Sequence, residues 1–208
     1  MRVLVATRRA HKVAEIAEIF DRSPIRLVSL ADLGLERTPA EDDLERFDTF
    51  AANALGKARH FRDRCGLPTL ADDSGLRVDA LDGAPGVRSK RFAPPELQAE
   101  LGIDAANNRH LLDLFQGVPP ERRTAHFVCT VALALADAER VFAGRVDGRI
   151  LDAPRGERGF GYDPLFFVPE LGRTLAEIGR KEKNEWSHRG RAVRAARAWL
   201  ETQAKGGA

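Results

Sequence analysis

Two adjacent carboxylates, in Ala71-Asp72-Asp73-Ser74-Gly75, are the residues of this chain best placed to do chemistry. Neighbouring carboxylates repel unless a cation or a proton compensates, and hard cations such as Mg²⁺ take oxygen ligands of this kind. The small residues that follow permit a tight turn, and Asp-Asp-Ser-Gly is equally ordinary solvated turn chemistry. A second acidic group, Glu41, Asp42, Asp43 and Glu45, stands ahead of a helix. It reads as a solvated loop unless Glu45 folds back toward Asp72 and Asp73, because Mg²⁺ is commonly held by one or two carboxylates plus substrate phosphates.

Three further groups are rich in hydrogen-bond donors. Thr7-Arg8-Arg9-Ala10-His11-Lys12 joins a strand to a helix. Backbone N–H groups at a helix N-terminus, with a hydroxyl and a lysine, can receive a phosphate. The segment contains no glycine, so it is neither a Walker loop nor a dinucleotide fingerprint, and alone it is a plain connection. Gly159-Phe160-Gly161-Tyr162-Asp163-Pro164 offers flexible backbone, a carboxylate and a Phe face on which a base could stack, or simply a strand-entry turn. Lys183 and Ser187-His188-Arg189-Gly190 supply donors suited to purine or phosphate oxygens, or a solvated helix start.

The elements that must position these groups alternate in type. A buried strand is expected over Arg2 to Ala6, then a helix with Val13, Ile16, Ala17 and Phe20 on one face, and a strand from Ile25 to Leu30. A second helix carries Phe50, Ala54, Ala58 and Phe61, with Asp48 as N-cap and Gly66 as its stop. Strands over Pro68 to Ala71 and Leu76 to Leu81 flank the Asp72 to Gly75 turn, and a helix runs from about Asp104 to Phe115. From Thr124 to Ala136, Ala125, Phe127, Cys129, Val131, Leu133 and Leu135 alternate, marking the strand that crosses the sheet centre. Strands at Arg140 to Val146 and Leu165 to Val168 follow, then a closing helix with Ala192, Ala195, Ala196, Trp199 and Leu200, and a frayed tail over the last six residues. The pattern predicts one α/β domain over 1–208, two lobes around one sheet.

Composition narrows the partners. The 208 residues carry 33 Lys+Arg against 31 Asp+Glu, too balanced for a strong field toward a nucleic-acid backbone. Cys65 and Cys129 have neither metal-type spacing nor a bridge framework, which fits a reducing compartment. The N-terminal apolar run, Val3 to Ala6, is too short for a signal segment or a membrane span, so a cytoplasmic protein is expected.

In chain order the motifs closely resemble the inosine triphosphatase family, the pyrophosphatases that remove deaminated purine nucleotides. The resemblance covers nearly the whole chain. It rests on Thr49-Phe50 with Asn53-Ala54 and Lys57-Ala58, Leu70 through Leu76, Gly83-Ala84-Pro85-Gly86, Gly159 to Pro164, and Ser187 to Gly190. It implies a long mixed central sheet with flanking helices, two lobes around an active-site cleft, a homodimer, and Mg²⁺ as cofactor. By motif position Glu45 and Asp72 ligate the metal, and Asp73 joins them there and activates the attacking water. Thr7, Lys12 and Lys57 hold the triphosphate, Phe160, Asp163, Lys183, Ser187, His188 and Arg189 surround the base, and Arg9, Ser74, Gly161 and Tyr162 also bind substrate.

Departures from the family pattern fall at Arg8 and Arg9, where Gly and Asn usually follow the first-loop Thr, at Ala52 in place of Glu, and at Lys90 between Ser89 and Arg91. Arginine can itself grip phosphate bidentately. The implied reaction is hydrolysis of ITP, dITP or XTP at the α-phosphorus. A pyrophosphatase for modified pyrimidine nucleotides and a noncatalytic nucleotide-binding protein are the alternatives.

Overall fold

The computed structural model of the chain describes residues 1–206, with side chains through 204. Among the described residues seven strands and six α-helices follow one another: β1 (Arg2–Val5), α1 (Ala10–Ile19), β2 (Arg26–Ser29), α2 (Phe50–Cys65), β3 (Thr69–Val78), α3 (Pro95–Leu101), α4 (Ile103–Leu114), β4 (Thr124–Ala134), β5 (Glu139–Ile150), β6 (Phe166–Val168), β7 (Arg173–Thr174), α5 (Arg180–Trp186) and α6 (His188–Gly206). The strands form one mixed sheet in the order β2-β1-β3-β4-β5-β6-β7, parallel at β1–β2 and β1–β3 and antiparallel at β5–β6 and β6–β7. β4 is the central strand, as its alternation predicts.

The chain divides into two units. The first holds Met1–Asp73, Cys129–Gly144 and the C-terminal stretch from His188. Its two apolar clusters use alternate residues of the same strands, since successive strand side chains point to opposite faces. Val3, Val5, Leu70, Cys129, Val131 and Leu133 pack with α1 and α6, whereas Leu4, Ala71, Ala132 and Ala134 pack with Ala54, Ala58 and Phe61 of α2. The second unit, Ser74–Val128 with Arg145–Ser187, has its own core around Leu111, Phe115, Phe127, Leu165 and Phe166.

Several boundaries differ from expectation. β3 runs unbroken from Thr69 to Val78, so Asp72 to Gly75 is strand and not turn. Eight of those ten positions are buried, all but Ser74 and Arg77, and burial on both faces hides the alternation that would have marked a strand. Thr49, not Asp48, caps α2, its hydroxyl accepting from Ala52 N at 3.1 Å, and Gly66 ends the helix at φ 68° as expected. Ala17 is exposed; the inward face of α1 is Lys12, Glu15, Ile16 and Ile19. The tail stays helical to Gly206 because Gln203, Ala204 and Lys205 are good helix formers, and residues 207 and 208 lie outside the described residues.

Candidate active site

In the first unit the parallel register brings two chemical segments level. Val5 pairs with Leu70, so Thr7 and Asp72 each lie two residues beyond paired positions. Leu70 faces the α1–α6 cluster and Ala71 the α2 cluster, and the two carboxylates continue that alternation. Asp72, 1% exposed, takes Lys12 Nζ at 2.9 Å and Arg189 Nε at 3.1 Å on Oδ2, with Cys129 Sγ 3.9 Å away. Asp73, 7% exposed, instead accepts Asn53 Nδ2 from α2 at 2.9 Å.

Adjacent in sequence, the pair is therefore divided in environment. Burial would raise Asp72, but Lys12 and then Arg189 outweigh it and hold its carboxyl well below the ordinary range. Burial does raise Asp73, with Glu45 adding to the rise and Lys57 opposing it. Glu45 does fold back: Lys57 Nζ donates to its Oε1 at 2.6 Å and also to the Asp72 carbonyl. Burial would raise Glu45 as well, yet Lys57 keeps it lowered. Lys57 stays charged against its own burial because Glu45, Asp73 and Asp72 surround it, whereas burial of Lys12 outweighs Asp72 and lowers it.

Arg189 is fully buried, and its Nη1 donates to Glu15 Oε2 at 2.6 Å. The guanidinium is thus paired with both Asp72 and Glu15. His188, 4% exposed, sits at the start of α6, with its carbonyl 2.0 Å from where a Cβ on Gly144 would stand, so only glycine fits there. Thr7 Oγ1 accepts from Arg9 N at 3.3 Å, and Arg9 precedes the first turn of α1.

The second unit holds the other expected group. Lys183 Nζ lies 2.5 Å from Asp163 Oδ2 and 4.2 Å from the centroid of the Phe160 ring. The same Asp163 oxygen accepts Phe160 N at 2.9 Å. Gly159 is at φ +79° and a Cβ there would stand 2.1 Å from Asp163 Oδ2, so the loop closes only over glycine. Gly161 is gripped at both ends of its peptide units, its N–H by Asp104 Oδ2 and its carbonyl by Asn108 Nδ2, each at 2.8 Å. Tyr162 is core, not surface: it is 3% exposed and its hydroxyl donates to the Ser89 carbonyl at 2.8 Å. Ser187, 1% exposed, closes α5 by donating its N–H to the Lys183 carbonyl at 2.7 Å, and Ser74 is half-buried on β3.

Sequence reasoning missed Asn53 and Glu15 as members of the site. Both sit on the inward faces of their helices among apolar neighbours, and a polar residue at such a position must find a buried partner. That signal was present in the spacing. No signal in the chain announced that Cys129, whose thiol burial and then Asp72 push up to about 12, would border Asp72.

A mixed α/β sheet presenting buried carboxylates flanked by lysines is the equipment of a protein that handles phosphate chains. The chain belongs to the Ham1 family, whose profile matches residues 3–199. The dITP/XTP pyrophosphatase of Geobacter sulfurreducens is 50% identical over 193 residues, covering 92% of each chain. That of Methylibium petroleiphilum is 48% identical over 203 residues, 93% of this chain and 94% of its own. Among solved structures, a HAM1 protein from Coxiella burnetii matches with a TM-score of 0.83 at 35% identity, covering 96% of this chain and 98% of that one. The nucleoside-triphosphatase, or dITP/XTP pyrophosphatase, of Mycobacterium abscessus matches with a TM-score of 0.70 at 43% identity, covering 94% and 98%.

Proposed function

We propose that this chain hydrolyses deaminated purine nucleoside triphosphates, ITP, dITP and XTP, to the monophosphate and pyrophosphate. The observation that carries the reading is the division of labour between neighbouring carboxylates. Asp72 is neutralised by Lys12 and Arg189, while Asp73 is left with a raised affinity for protons beside Glu45. A general base needs that raised basicity. The names of the relatives above support the choice of substrate.

The donor set fits a divalent cation, Mg²⁺ in this reading. Asp72 Oδ1 is buried without a hydrogen-bond partner, and the repulsion between Asp73 and Glu45 is offset only in part by Lys57. Among the described residues no three His, Cys, Asp or Glu side chains form a metal cage, so the ion would depend on Glu45 and the aspartates together with substrate oxygens. When bound it would neutralise charge on the phosphates. Asp73 takes the proton from the water that attacks the α-phosphorus. Lys12 and Lys57 hold the phosphate oxygens as the bond to the departing pyrophosphate breaks, while Lys183, Asp163 and Phe160 receive the base.

Monophosphate and pyrophosphate should appear together from ITP, followed by ion-exchange chromatography of a single-turnover reaction. Diphosphate and orthophosphate as first products would put the attack at the γ-phosphorus and defeat the assignment of Asp73. Removing the carboxylate in Glu45→Gln should raise the half-saturating Mg²⁺ concentration at least about tenfold, since even outer-shell partners of a metal are worth that much. A Mg²⁺ titration superimposable on the parent's would exclude Glu45 as a ligand.

A further inference from the structure

In the connection from β2 to α2, Leu30 is buried, but residues 31–49 include no fully buried residue; Leu33, Leu35 and Leu44 lend part of their surface to the core under α2. A segment with so few apolar contacts opens easily. Yet its far end carries Glu45. What fastens it is polar, and it centres on one carboxylate. Arg8 donates Nε to Glu41 Oε2 and Nη2 to Glu41 Oε1, both at 2.7 Å, and its Nη1 reaches the Leu35 carbonyl at 3.1 Å. Arg64, near the end of α2, adds Nη1 to Glu41 Oε1 and Nη2 to the Glu36 carbonyl, each at 3.1 Å. Thr38 N completes the set at 3.2 Å.

Exposed ion pairs contribute little one at a time. Here the side chain of Glu41 is only 9% exposed, the fork is bidentate, and two guanidiniums share it, the geometry in which such pairs do hold structure. Glu41 lies in the 3₁₀ turn Pro39–Asp43, and Leu44 N returns to the Glu41 carbonyl, so fixing Glu41 fixes the backbone up to the residue before Glu45. Arg8 meanwhile follows Thr7 directly, in the loop expected to receive phosphate. Its fork is occupied by Glu41 rather than turned to a ligand.

We propose that Arg8 is a positioning residue: by clamping Glu41 it ties the 35–45 segment to the first loop and delivers Glu45 to the Asp72 and Asp73 edge. The proposal rests on the reading of Glu45 as a metal ligand given above. Arg8 thus serves the acidic segment instead of the phosphate.

The test compares Arg8→Gln, Glu41→Gln, the exchange Arg8→Glu with Glu41→Arg, and Glu45→Gln as reference. Amide hydrogen exchange over 36–47 is read in the metal-free protein, and the half-saturating Mg²⁺ in ITP hydrolysis. Both single clamp variants should speed exchange there about tenfold and raise the half-saturating Mg²⁺ by a similar factor, the worth of a charge-assisted hydrogen bond. Their kcat at saturating Mg²⁺ should stay within about twofold of the parent's, and the exchanged pair should restore both readouts. Unchanged exchange in Arg8→Gln, or no rescue by the exchanged pair, overturns the clamp. So does a raised KM for ITP with exchange and Mg²⁺ dependence unmoved, which would make Arg8 a phosphate ligand. If Glu45→Gln itself leaves the Mg²⁺ titration in place, the ligand reading falls and takes the metal half of the proposal with it, while exchange over 36–47 still decides the clamp.

Discussion

Asp73→Asn is expected to lower turnover of ITP by about 10²–10⁴-fold, the usual worth of a general base, with little change in thermal stability. The stability half follows from the contacts. Asn53 Nδ2 donates to Asp73 Oδ2, and an asparagine at 73 keeps an oxygen to receive it, so no buried donor is stranded. The neighbouring Asp72→Asn should in addition lose stability. It removes the charge that pairs with Lys12 and Arg189, leaving two buried cations facing each other across a neutral amide. Breaking a buried pair costs about 3–5 kcal/mol, so this variant should melt far below the parent. Pyrophosphate release and calorimetric melting, run on both variants, separate the roles. Near-parental turnover in Asp73→Asn would remove Asp73 from the chemistry, and parental melting of Asp72→Asn would show that its ion pairs are not structural.

The second large effect expected is discrimination against ATP. Hypoxanthine and xanthine carry an acceptor oxygen at position 6, where adenine carries an amino donor. Lys183 offers a buried donor beside the Phe160 ring, fixed in place by Asp163. An adenine placed against it leaves donors unpaired on both sides, and sites of that kind discriminate by about 10⁴-fold. The ratio of kcat/KM for ITP over ATP should be of that order in the parent and collapse in Lys183→Gln, chiefly through loss of ITP hydrolysis. An equal fall for both substrates would make Lys183 a phosphate or structural residue. Arg189→Ala serves as the contrast. Because its guanidinium neutralises Asp72 and Glu15, losing it should depress stability and the hydrolysis of both nucleotides together.

Much of the scaffold was written locally. The alternation from Ala125 to Leu133 marks the central strand, the spacing of Phe50, Ala54, Ala58 and Phe61 marks α2, and Gly66 stops it, because strand and helix periods and a left-handed cap are properties of neighbouring residues. The ordered motifs also gathered the chemical groups, including Glu45, which does return to the Asp72 strand by way of Lys57. What the sequence could not divide was the aspartate pair. Read as a turn, Asp72 and Asp73 look alike; as consecutive residues of one strand they face opposite clusters, and only partners 60 and 117 positions away in the chain, Lys12 and Arg189, make one of them a held counter-ion and leave the other with a raised affinity for protons. The same holds for Arg8, a phosphate-gripping residue by its type and a clamp by its tertiary partner Glu41. Residue type sets which charges a chain carries, but pairing energy depends on distance and burial, and those are decided only when the strands and helices pack.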